Sequence, residues 1–263
     1  RPSVIHIIPR LGGAKAGEAA STVQVGEGFV FHIANSYQEQ EGETTRIIID
    51  AVRSSGSSGW PRNKYGKVGF NYRKDNPLGG NAPSKNLRRY ALQTTAATNA
   101  FLALESDTEN ERDIKFPGVN ATYFGRQHRY VYACGFGLSS TIECVVKYDM
   151  ELGTETKWSF PTNNFVAEPV FSPASGGSGA EDDGYVICLV YNGKTRNSEL
   201  YILDAQNIEE GPVCRIVLRY HVPFSLHCQW VDTFWGPVEA DAQEDEPSEP
   251  GQVQDAAPES ASV

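Results

Sequence analysis

Gly28-Phe-Val-Phe-His-Ile-Ala34, followed across a polar turn at Gln38–Gly42 by Thr44-Thr-Arg-Ile-Ile-Ile-Asp-Ala-Val52, is the stretch on which the fold turns. Both runs are rich in aromatic and β-branched residues, and a short polar turn between such runs predicts an antiparallel hairpin. Working outward, further runs with strand character occur at Tyr90–Thr94, Arg129–Cys134, Cys144–Tyr148, Thr156–Ser159, Glu168–Phe171, Tyr185–Tyr191, Glu199–Asp204 and Val213–Tyr220. Turn signals separate them, among them Glu151-Leu-Gly153, Ser175-Gly-Gly-Ser-Gly179, Asp182-Asp-Gly184 and Asn192-Gly193. No segment of convincing length shows helical periodicity. The expected fold is therefore all-β: a sandwich, a barrel or a propeller. No internal repeat is visible in the sequence to choose among the three.

The chain has 263 residues, of which 40% are apolar, enough to bury a sizeable core. It opens on Arg1 and enters the strand-like run Val4-Ile-His-Ile-Ile8 at once, as expected of a processed or incomplete product. No run approaches the ~18 apolar residues that a membrane-spanning helix needs. Net charge is −10, but residues 237–263 hold eight acidic residues and no basic one, so the body carries only about −2 (−10 plus 8). That tail is poor in apolar residues and is expected to be disordered. It is either a solvated extension or a segment that meets a partner. Residues 53–89 show the opposite bias, with nine basic residues against Asp75 alone. They are expected to form a surface insertion between strands, either merely solvated or touching phosphate or an anionic membrane surface. No nucleic-acid partner is expected. The five cysteines (134, 144, 188, 214 and 228) are odd in number and widely spaced. They fit buried thiols in a reducing compartment better than a disulfide frame.

Chemistry is sought first among His6, His32, His128, His221 and His227. His32 ends an apolar strand, and His227 lies in Val222-Pro-Phe-Ser-Leu-His-Cys-Gln-Trp230. A histidine in apolar surroundings needs partners for its ring nitrogens, so each is either a hydrogen-bonded core residue or a metal ligand. Periodicity does not decide between these. Cys228 is not expected to join His227 on one metal, because neighbours on a strand point to opposite faces.

Seven motifs in order make the chain similar to the carotenoid cleavage oxygenase family. They are Phe31-His-Ile-Ala-Asn-Ser-Tyr-Gln38, Ile47-Ile-Ile-Asp50, Leu87-Arg-Arg-Tyr90, Gly125-Arg-Gln-His-Arg-Tyr-Val-Tyr-Ala133, Ala167-Glu-Pro-Val-Phe171 with Glu181-Asp-Asp-Gly184, Ser198-Glu-Leu-Tyr-Ile-Leu-Asp-Ala-Gln-Asn207 and Val222-Pro-Phe-Ser-Leu-His227. The resemblance implies a seven-bladed β-propeller. Residues 1–236 would be roughly its C-terminal half and 237–263 the acidic tail.

The resemblance also implies an iron(II) centre held by four histidines. His32 and His227 match the third and fourth of these, and the first two belong upstream of this chain. His128 and His221 match positions outside the metal shell, and His6 lies in no matching motif. Glu168 matches the glutamate that orients the fourth histidine. The glutamate that orients the third should precede Phe116-Pro117, where this chain has Lys115. Lysine has donors and no acceptor, so Asp113, two residues back, is the candidate substitute.

The implied reaction uses dioxygen to split one double bond of an apolar polyene, a carotenoid or apocarotenoid, into two carbonyl products. Phe31, Phe171 and Phe224 are candidates for either the substrate tunnel or the core. Two other functions fit the same family and fold: a retinoid or carotenoid isomerase, and a catalytically degenerate β-repeat interaction module. With two of four ligands, these 263 residues alone are expected to be unstable and inactive. A plastid or cytoplasmic setting is expected rather than secretion.

Overall fold

The computed structural model describes residues 2–13, 16–54, 85–94, 101–104, 114–136, 142–223, 227–231 and 233. Fourteen strands and two short 3-10 turns account for its regular structure, with no α-helix among the described residues. Strands β1 (Pro2–Ile7) and β2 (Ser21–Glu27) pair as a two-stranded ribbon. Three four-stranded antiparallel meanders follow. The first comprises β3 (Phe29–Glu41), β4 (Thr44–Ser54), β5 (Lys85–Thr94) and β6 (Phe101–Leu104). The second comprises β7 (Ile114–Gly118), β8 (Tyr130–Phe136), β9 (Ile142–Asp149) and β10 (Thr154–Ser159). The third comprises β11 (Asn164–Pro173), β12 (Gly184–Asn192), β13 (Asn197–Asp204) and β14 (Pro212–Val217). Successive four-stranded meanders are the blades of a β-propeller.

The middle blade explains why strict alternation is weak along much of the chain. It packs on both sides, so its strands are apolar on both faces. Val131 and Ala133 of β8 point to a core shared with the first blade, which also contains Ala34, Val52 and Leu87. Tyr132 and Cys134 point the other way, to a core shared with Val166, Val186, Val190 and Leu203 of the third blade. Outer strand β10, by contrast, is almost wholly exposed.

Several expectations need correction. The polar turn expected at Gln38–Gly42 is mostly strand: β3 runs on to Glu41, which pairs with Thr44. Strands β2, β6 and β7 went unanticipated. The basic insertion expected at 53–89 is narrower, because residues 53–54 still belong to β4 and residues 85–89 open β5. Its remainder, 55–84, lies outside the described residues, as does the whole acidic tail, 237–263.

A buried polar network ties the first blade to the loop that enters β8. Asn35 Oδ1 accepts the Ser36 and Gly125 amides at 2.9 and 3.0 Å, which fixes the orientation of its side chain. Its Nδ2 then shares its two hydrogens among the Tyr123 and Arg126 carbonyls and His128 Nδ1, each 3.0 Å away. With Nδ1 accepting, the proton of His128 sits on Nε2, 3.0 Å from Asp50 Oδ2. Arg89 closes the network with a two-pronged bond to Asp50, 2.8 Å on each arm. Burial alone would push the Asp50 carboxyl up, but the bonds from Arg89 and His128 outweigh it and hold it below its usual value. His128 thus has the structural role expected of it.

Candidate metal centre

The first strand of each blade is the one that builds the site. Strand β7 lies against both β3 and β11. His32 comes from β3, Phe116 from β7 and Glu168 from β11. His227 comes from beyond β14, where residues 227–231 are not strand. The premise that Cys228 must point away from His227 as a strand neighbour therefore does not apply.

His32 is buried, and its ring centre lies 5.5 Å from that of His227. His227 Nδ1 stands 3.1 Å from Glu168 Oε2. Glu168 is the anchored member of this pair, its side chain 12% exposed against 63% for His227. The same Oε2 accepts the Cys228 amide at 2.6 Å. Cys228 thus reaches the site through its backbone, an interaction for which the sequence carries no signal. A carboxylate that receives Nδ1–H fixes the tautomer and leaves Nε2 as the free donor atom of His227.

These residues fit a metal as two members of a larger donor set. With a nitrogen–metal bond of about 2.1 Å, an imidazole centre stands roughly 3.2 Å from the ion, so two rings sharing it lie about 4.6–5.6 Å apart for angles of 90–120°. The observed 5.5 Å lies inside that span. Neutral imidazoles also suit divalent iron. Among the described residues no group of three or more His, Cys, Asp or Glu is placed to hold a metal ion. His221 is exposed and lies against the Tyr191 ring, and His6 is exposed on β1. Asp113 and Phe224 fall outside the described residues. Lys115 is half-buried on β7 opposite Cys134. Phe31 stacks edge-on to His32 at 4.6 Å. Phe171 is buried and stacks on Tyr132, which makes it a core residue.

Phe116 is the residue that the sequence reading missed. Its buried ring stands edge-on to both imidazoles, 5.1 Å from His32 and 5.6 Å from His227. It also has φ +52°, in the left-handed region, directly before Pro117. Such a backbone costs about 1–3 kcal/mol. Burying the phenyl ring returns about 1.5–3 kcal/mol, so the conformation persists only while the ring stays packed.

Residues 1–232 match the family model described as Retinal pigment epithelial membrane protein. The chain is 34% identical over 237 residues to apocarotenoid-15,15'-oxygenase from Synechocystis, covering 89% of this chain and 44% of that protein. It is 27% identical over 220 residues to the chloroplastic carotenoid cleavage dioxygenase 8 homolog B of rice, covering 82% of this chain and 37% of that protein. In structure it is similar to cobalt-substituted Synechocystis ACO, with a TM-score of 0.69 and 32% identity, covering 88% of this chain and 44% of that one. The chain thus spans less than half the length of these relatives. With the blades, the ordered motifs and the match over 1–232 in agreement, the chain belongs to the retinal pigment epithelial membrane protein family, that of the carotenoid cleavage oxygenases.

Proposed function

We propose that the protein containing this chain is an iron(II)-dependent dioxygenase that cleaves a carbon–carbon double bond of a carotenoid or apocarotenoid to carbonyl products. The observation that carries this reading is the meeting of His32 and His227, from opposite ends of the chain, with Glu168 on the outer nitrogen of one. The names of the relatives supply the reaction and substrate class.

His32 and His227 would hold the iron together with imidazoles from elsewhere in the protein. Iron(II), when bound there, supplies the activation of dioxygen. The chain's own residues do the rest. Glu168 accepts the Nδ1 proton of His227 and keeps Nε2 available. The Cys228 amide holds the same carboxylate oxygen and so limits its rotation. The buried ring of Phe116 beside both imidazoles keeps water from that side and favours an apolar polyene next to them. Overall, one C=C bond breaks and each carbon takes one oxygen atom from O2.

Incubation of the full-length, iron-loaded protein with an apocarotenoid under oxygen-18 gas tests this. Aldehyde or ketone products that carry the label are expected. A rearranged polyene without label would establish the isomerase instead. A protein that binds no iron and leaves polyenes unchanged would overturn the dioxygenase and favour the interaction module.

A further inference from the structure

We infer that Phe116 is a positioning residue that sets the spacing and tilt of the His32 and His227 rings before any metal binds. The inference rests on the metal-centre reading above. It starts from a break in strand β7. Residues two apart on a strand share a face. Ile114 and Phe116 do not: Ile114 packs into the core between the first and second blades, and Phe116 into the core between the second and third. The cause is local. The β7–β8 register shifts between Lys115 and Gly118, and Phe116 takes φ +52°.

The sequence at this point works against that conformation. Proline at 117 restricts the residue before it to extended backbone. Glycine, asparagine or aspartate would accept a positive φ far more readily than phenylalanine. A bulky aromatic therefore occupies a position whose backbone would favour a small residue. What the ring gains there is contact with both candidate ligands. The three ring centres form a near-equilateral triangle with sides of 5.1, 5.5 and 5.6 Å. All three pairs are edge-to-face, with interplanar angles of 60°, 70° and 86°. Edge-to-face contact is directional, because a positive ring edge meets a negative ring face. A phenyl wedge in this geometry resists both collapse of the imidazoles onto each other and rotation of either ring. It matters most for His227, which is exposed and lies on no strand.

The test uses the full-length protein with Co(II) as probe, reading the dissociation constant and the d–d absorption bands. Phe116→Gly suits the backbone but removes the wedge. It is expected to weaken Co(II) binding at least tenfold and to shift the bands. Phe116→Leu keeps apolar bulk without a flat edge, and is expected to bind three- to tenfold more weakly with melting temperature little changed. Wild-type affinity and an unchanged spectrum in the leucine variant would overturn the inference, whether or not the glycine variant folds. A wild-type protein that binds no Co(II) would overturn the metal-centre reading itself.

Discussion

At the scale of single residues, Glu168 carries the most testable load. It is nearly buried, it faces His227 Nδ1, and it also holds the Cys228 amide. Glutamine in its place keeps the shape but presents one neutral acceptor where a carboxylate stood. Loss of such an orienting partner costs metal affinity about 10–100-fold. Glu168→Gln is therefore expected to lower Fe(II) affinity by that factor in anaerobic calorimetry, with little change in thermal stability. Lys115 makes the opposite case. It offers no acceptor where relatives of this family are expected to have a glutamate. Lys115→Glu is expected to raise Fe(II) affinity in the same titration; an unchanged value would show that another group already serves. That His32, His227 and Glu168 come together was legible because they stand in ordered motifs. Phe116 was not, because a positive φ before proline runs against every local preference, and only the assembled site shows what holds it.

At the scale of elements, the sheets were legible wherever a strand was long and met turn residues at its ends. The hairpin of β3 and β4 is the clearest case, though the polar end of β3 reads as turn because Gln38, Glu39 and Gln40 lie beyond the apolar core. Strand β7 was not legible: it has five residues, an internal proline and a bulge. The join between the first blade and the β8 entry loop depends on Asp50, which is fully buried. Removing one partner of a buried ion pair costs about 3–5 kcal/mol. Asp50→Asn is thus expected to destabilise the protein by roughly 3 kcal/mol at pH 7, because Arg89 loses its counter-charge. The pH dependence follows from the depressed carboxyl. The unfolded chain binds the proton near pH 3.9, the folded one only at lower pH, so the stabilisation is full above about pH 4 and fades as pH falls through the folded value. Thermal unfolding should show a constant gap between wild type and Asp50→Asn from pH 7 to 5, narrowing toward pH 3. A gap that widens in acid would contradict the assigned network.

For the whole molecule, the blade count and stacking were not written in any repeat, because each blade uses different residues for the same burial. The middle blade packs on both faces, whereas the first and third leave apolar side chains exposed. Phe29, Phe31 and Ile33 are exposed on β3, and Val213, Ile216 and Val217 on β14. Exposed apolar side chains gathered along one strand mark a surface that is covered in use or that aggregates. Exposed sheet surfaces and edges carry the same hazard in the backbone. The 263 residues produced alone are therefore expected to aggregate, or to bind a hydrophobic dye strongly, and to lack high-affinity Fe(II) binding because two imidazoles cannot match a full donor set. Size-exclusion chromatography, dye binding and iron titration check this together. A monodisperse protein with a sharp melting transition and tight iron binding would mean that these blades need no further cover and that two histidines suffice.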